Sequence, residues 1–388
     1  MPRFLYSETD VTILLLMSNI LTNHSFFSRI REWFFSFSKQ TKYSIAAIAG
    51  IGIVLCGVAF FFMQKNRPLP STKQEFGSVI SPQTMSPPLY HHPLTGEIFE
   101  QEVSAPVVFG VMVENSADSW PQSGLDGAFL VIEAPVEAGI PRFLAFYDGA
   151  NVSVKKIGPV RSARPYYVDW VQEFEALYAH VGGSDAALNL ISSNGTHDLN
   201  EFWNGQFFWR SSDRKAPHNT YTSTERLQQA LEQKKQTFKT EYSFWNFKDD
   251  APNPTEKGKS IIVDFSSPLY RVVWNYDEEK NMYARLQAGH IHSMQDGKVI
   301  EANNVVIVVT SVEIIDAVGR RKIQTIGEGD AFIFQDGREI KGTWRKSSAK
   351  DRLRFYDESE TEIQWNAGKT WIEVVPSLDS IIFENTSS

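Results

Sequence analysis

Cysteine is almost absent: Cys56 stands alone among 388 residues. A disulfide within the chain and a multi-cysteine zinc site are therefore both excluded. An excess of basic charge is missing too. Thirty-eight Lys and Arg face forty-six Asp and Glu, a net charge of −8, which argues against a nucleic-acid partner. The double glycine Gly182-Gly183-Ser184 has neither a Walker lysine nor G-x-G-x-x-G spacing, and Ser123 lies in Q-S-G-L rather than in a G-x-S-x-G elbow. Nucleotide-binding and serine-hydrolase readings thus lack their motifs. No cofactor is expected.

What the chain does have is aromatic side chains, 13% of the total with ten Trp, and one long apolar run. Aromatic richness points to β structure or to stacking surfaces. The run, Tyr43 to Met63 (YSIAAIAGIGIVLCGVAFFFM), holds twenty-one residues without a charge. At about 1.5 Å per residue it crosses a hydrocarbon core of roughly 30 Å. Arg29, Arg31, Lys39 and Lys42 precede it, and Lys65, Arg67 and Lys73 follow. That bias predicts a single-pass anchor in the cell membrane, N-terminus inside and the following domains on the extracytoplasmic side. The rival is a lipid anchor on Cys56, but bulky Leu55 precedes it and apolar or small residues continue to Met63.

The remainder divides by texture into an α+β organisation. Residues 1–42 form a cytoplasmic leader or follow from an early start codon, 43–63 the anchor, and 64–90 a proline-rich stalk. Residues 91–247 mix strand-length apolar runs (Val107–Val113, Phe129–Ile132, Arg142–Tyr147, Leu177–Val181) with helical signals, so a mixed α/β domain is predicted there. Pro165 opens one helix, Asp185 begins another that Asn194-Gly195 stops, and Thr222 with Glu225 reads as a capping box for a third. After a linker at 248–258, residues 259–376 read as strands separated by Asp296-Gly297, Asp336-Gly337 and Ala367-Gly368, an all-β domain. Residues 377–388 are a tail.

Polar residues crowd at the predicted strand ends of the first domain. Glu114, Glu133 and Glu137 are carboxylates in segments written for burial, and paired carboxylates serve glycosidic chemistry as acid and nucleophile or base. Asp213 and His218 are the candidates to assist them. Structural pairing of the same carboxylates with Arg142, Arg161 and Arg164 is the alternative. The arginines, with Ser162, offer a bidentate clamp for a carboxylate or phosphate. Asn115, Gln122, His180, Gly182, Gly183, Ser184, Arg214 and Asn219 complete the candidate ligand-binding set. His290 and His292 alternate on a strand but lack a third ligand, so no metal site is assigned. Trp203, Phe207, Phe208 and Trp209 suit sugar stacking or a core.

The phrases VMVENSADSWPQSGLDGA, VEAGIPRFLAFY, IGPVRSARPYYVD, YAHVGGSDAAL and DRKAPHNTY resemble the YerB-like family of bacterial lipoproteins, and GTWRKSS with KTWIEVVP resembles its C-terminal partner domain. The resemblance spans residues 92–376 and implies an envelope location and a two-domain architecture. It implies no reaction. Trp120 stands where the family usually has an arginine before the Pro-Gln turn. Two functions remain open from sequence: an envelope protein that binds or cleaves cell-wall glycan, and a non-catalytic module for an anionic envelope polymer or a membrane protein partner.

Overall fold

The computed structural model describes residues 90–385 apart from 102–105, 236–237, 239–242 and 253–258. The predicted leader at 1–42, the predicted anchor at 43–63 and the predicted stalk at 64–90, apart from Tyr90, lie outside the described residues. Among the described residues no helix is long and apolar enough to cross a membrane.

Ten strands make the central sheet. They are β1 (Val108–Val113), β2 (Leu130–Pro135), β3 (Pro141–Asp148), β4 (Leu177–His180), β5 (His197–Asn200), β6 (Asn304–Val309), β7 (Gly327–Gln335), β8 (Arg338–Lys346), β9 (Arg354–Asp357) and β10 (Thr370–Val375). Their spatial order is β9-β8-β7-β6-β10-β2-β3-β1-β4-β5. Strands β1, β4 and β5 run parallel, whereas β2, β3 and β1 are joined antiparallel. The runs of Val, Ile, Leu and Phe in β1, β2, β3 and β10 are buried at every position. Continuous rather than alternating apolar sequence is what a sheet covered on both faces demands.

Each face has its own core. On one, Val108, Met112, Leu130, Ile132, Leu144 and Phe146 pack with helix α1 (Pro165–Val171), helix α2 (Asp185–Asn194), Trp245, Trp344 and Trp365. On the other, Phe109, Val111, Val113, Val131, Phe143 and Tyr147 meet a second sheet through Ile261, Val263, Val272 and Trp274. That sheet joins 290–291, 282–287, 271–277, 259–264 and 381–385 in order, with 301–302 added to 282–287. Period-two side-chain alternation sends neighbouring residues of one strand into opposite cores.

The sequence texture is visible: helices belong to the first segment and the second is strand-rich. The segments nevertheless share one sheet. Strand β10 lies between β6 and β2, parallel to both, with Thr370 beside Leu130 and Glu373 beside Glu133. The chain crosses between segments earlier than the predicted linker, because Trp245 stacks on Trp365 and 246–248 pairs with 364–366. Asp336-Gly337, both with positive φ, forms the tight β7–β8 hairpin that its sequence announces. One cap differs from expectation. Helix α4 (Thr224–Lys234) follows α3 (Glu201–Asn204) and is capped by Ser223, whose Oγ accepts from Arg226 N, while Thr222 is held in a bridge to Ile157.

Candidate functional site

In sheets with parallel strands, side chains that meet ligands collect beyond the strands' carboxyl ends. Here β1 ends at Val113 and hands on to Glu114-Asn115, β4 ends at His180 before Gly182-Gly183, and β5 ends at Asn200. The stretch 158–164 lies across these ends. Glu114 N donates to Pro159 O, Arg161 N to Met112 O, Val181 N to Arg161 O, and Ala163 N to Gly182 O. Those bonds bring Arg161, Ser162 and Arg164 to the strand ends.

Three polar groups result. In the first, Glu114 is buried and accepts from Ser116 Oγ at 2.7 Å and from His218 Nδ1, which lies 3.0 Å from both carboxylate oxygens. Arg161 Nε approaches to 3.1 Å as a charge contact rather than an aligned hydrogen bond. His218 Nε2 faces Asp118 Oδ2 at 3.8 Å. The fold closes the 104 residues between Glu114 and His218, two of the candidates that sequence singles out.

In the second group Glu137 grips Arg164 through two bonds, Nε at 2.6 Å and Nη2 at 2.8 Å. Burial raises the Glu137 carboxyl, but the hydrogen bonds and charge of Arg164 outweigh it and hold its pKa below the ordinary value. Arg142 is adjacent and different. It is buried, donates from Nη1 to Ser162 O at 2.6 Å, and makes no ion pair with a carboxylate among the described residues. Burial, then the charge of Arg164, lowers its pKa. Tyr178 lies in the same field, and its buried hydroxyl has no hydrogen-bond partner among the described residues.

The third group is a closed ring of hydrogen bonds joining both segments. Arg285 Nη2 and Asn115 Nδ2 donate to Glu133 at 2.7 and 3.0 Å. Gln122 Nε2 and Gln287 Nε2 donate to Asn115 Oδ1 at 3.1 and 3.0 Å. Arg285 also donates to His292 Nδ1 and Gln287 Oε1, and His292 Nε2 donates to Gln122 Oε1 at 2.9 Å. Burial and then the Arg285 charge push the His292 pKa well down, so its imidazole is neutral and both ring nitrogens are taken up by protein partners. Glu373 sits against Glu133 by strand register. Burial and then the Glu133 charge raise its pKa well above the carboxylate range, and Arg285 lies within reach of both side chains. Trp120 donates its indole N–H to Asn115 Oδ1 at 2.8 Å.

The other candidates scatter. His180 is buried between Gly182 O and Asp198 Oδ1, and Ser184 caps α2. Asp213 is exposed beside Lys156 and Ser211, not beside Glu114. Arg214 donates to Asp118 O and Pro121 O, and Asn219 to Ser211 O. Among the described residues no three His, Cys, Asp or Glu side chains gather as metal ligands, and His290 is exposed while His292 is buried. Arg285, Gln287, His292 and Glu373 escaped the sequence reasoning as members of a polar site. Their signal was a charge inside an apolar strand, Arg285 in MYARLQ and Glu373 in TWIEVV.

Fold and site together define a two-segment mixed-sheet protein with an arginine-rich cluster at the ends of its parallel strands. Residues 94–239 match the N-terminal domain, and residues 261–372 the C-terminal domain, of the family described as "Protein of unknown function (DUF3048)". A Bacillus subtilis (strain 168) relative, YerB, whose name carries the word lipoprotein, is 34% identical over 292 residues, 74% of this chain and 87% of that protein. The crystal structure of the YerB protein from Bacillus subtilis superposes with a TM-score of 0.69, covering 76% of this chain and 99% of that one. The chain belongs to this YerB-like family.

Proposed function

We propose that this is a membrane-anchored envelope protein that holds an anionic ligand, phosphate or carboxylate, on Arg142 with Arg164 and Arg161. The observation carrying the reading is Arg142. A guanidinium withdrawn from water without a direct ion pair is unfavourable, the nearby Glu137 being gripped by Arg164, and an anion from outside the chain would supply one. Arg164 and Arg161 add charge at the same strand ends, and the amino end of α2 lies alongside. Anchoring rests on the apolar run 43–63 and on the lipoprotein named among the relatives.

The test is titration of the full chain in detergent with poly(glycerol phosphate) by calorimetry. Salt-sensitive binding that Arg142→Gln weakens by about tenfold or more is expected, since a charge-assisted pair is worth about 1.5–3 kcal/mol. Unchanged binding in Arg142→Gln overturns the reading. Anchoring has its own test. Cys56→Ser should stay in the membrane fraction through an alkaline wash if the run spans the bilayer, and be released if a lipid on Cys56 holds it.

A second reading, hydrolysis, draws on Glu114 and His218, a carboxylate orienting an imidazole as in acid–base dyads. Glycan cleavage by a carboxylate pair has weaker support, because Glu114, Glu133 and Glu137 each face an arginine. Incubation of the full chain with peptidoglycan would release muropeptides that His218→Asn abolishes. No released fragment counts against this reading and leaves the anion reading standing.

A further inference from the structure

A groove of about 640 Å³ runs along α2 and the turn after β5, away from the arginines' own contacts. Its rim carries Trp203, which is 80% exposed, the most exposed large apolar side chain among the described residues. Of the five aromatic residues of this stretch, Phe202 is exposed as well, Phe207 and Phe208 are buried in the core, and Trp209 stacks on Tyr221 beneath Arg226. Trp203 alone offers an open indole face. An exposed indole that borders a groove is suited to contact with a ligand seated there.

The turn bearing it is held firmly. Asn200 Oδ1 accepts from Gly182 N at 3.0 Å and Phe202 N at 3.2 Å, and Asn204 Nδ2 donates back to Asn200 O at 2.9 Å. Phe202 packs over Gly182, which takes φ +59 and leaves no room for a Cβ there. Both side chains of the pair Phe202-Trp203 face solvent, 62% and 80% exposed, on a base that the Asn200 hydrogen bonds fix. Behind the groove, Asp198 is positioned by His180, which bonds Asp198 Oδ1 at 2.8 Å and Gly182 O at 2.7 Å. Ser192 and Thr196 add hydroxyls to the lining.

We infer that this groove is a binding site for a neutral sugar ring, with Trp203 as the stacking platform. A pyranose has an apolar face of axial C–H bonds and a rim of hydroxyls. The indole suits the face, and Asp198 with Ser192 suits the rim, whereas Thr196 Oγ1 is taken up by Asn194 and Gln172. A few placed polar groups beside an aromatic wall is the general make-up of small-ligand sites. The carboxylate of Asp198 disfavours an acidic sugar, which separates this ligand from the anion assigned to Arg142. The inference stands without the anion reading.

The experiment titrates the full chain in detergent with the β-1,4-linked hexamer of N-acetylglucosamine, followed by tryptophan fluorescence and saturation-transfer NMR. Saturable binding is expected, weakened about tenfold or more by Trp203→Ala and largely kept by Trp203→Tyr, since stacking depends on a ring. Asp198→Asn should weaken it less, and Arg142→Gln should leave it unchanged. The melting temperature of Trp203→Ala should equal that of the wild type, because the indole stands in solvent rather than in either core, so lost binding is not lost structure. Absence of hexamer binding by the wild type, or equal binding by Trp203→Ala, overturns the inference.

Discussion

Replacing Glu373 by Gln should stabilise the protein in alkaline buffer and do little in mild acid. The folded state binds the Glu373 proton more tightly than the unfolded chain does, so stability is lost as pH rises from the ordinary value of 4.5 through the raised one. His292 has the opposite sign. Its depressed pKa means stability is lost as pH falls below 6.5. An amide introduced at position 373 would occupy the same place beside Glu133 without a proton to lose. The difference in melting temperature between Glu373→Gln and wild type is thus expected to grow from about pH 5 to about pH 8. Glu133→Gln should behave oppositely, because it strips the buried Arg285 of its anion. A loss of roughly 3–5 kcal/mol by urea unfolding is expected. Arg142 provides a third case. With no carboxylate to abandon, Arg142→Gln should melt no lower than wild type, whereas Arg164→Gln, which orphans Glu137, should melt lower.

Among the elements, the stretch 158–164 places the arginines, and Gly158 decides its path. Gly158 has φ +140, and a Cβ there would lie 2.8 Å from Val160 N and 2.9 Å from Thr220 O. Gly158→Ala should therefore weaken anion binding and lower stability by about 1–3 kcal/mol together, measured by calorimetry and urea unfolding. Much of the element list was legible in the sequence. The largely apolar β1, β2, β3 and β10, Pro165 at the start of α1 and Gly195 at the end of α2 carry local signals that depend on no distant contact. Thr222 was misread because it has Glu225 three residues on, as a capping box requires, whereas the true cap Ser223 has Arg226 there, and only strand pairing of Thr222 to Ile157 decides between them. The site was half legible. Glu114, Arg161 and His218 crowd near turns, but Arg285 reaches Glu133 across 152 residues, and Glu373 across more still, a closure no local pattern encodes.

At the scale of the molecule, the two family domains share a sheet, two cores and the Arg285 ring. Sequence texture separated them because their helix content differs, while β10 looks the same whether it ends a domain or joins two. A chain ending at residue 258 would lack β6 to β10, leave β2 with an open edge, and leave Glu133 without Arg285. Such a fragment should give poorly dispersed amide NMR signals, and co-expression with 259–388 should restore dispersion. Well-dispersed signals from the fragment alone would contradict this.

The position of β10 also sets a timetable. Residues 370–375 leave a ribosome or a translocation pore after the other nine strands of the sheet, yet they fill its middle. On any route that releases the chain amino end first, β2 and β6 must wait for that late strand. Long-range parallel pairing is slow to form, and unpaired edges invite other chains while they wait. A product that stops before residue 370 would lack the strand at the centre of its sheet, so such a stop should yield a chain that proteases, not membranes, receive.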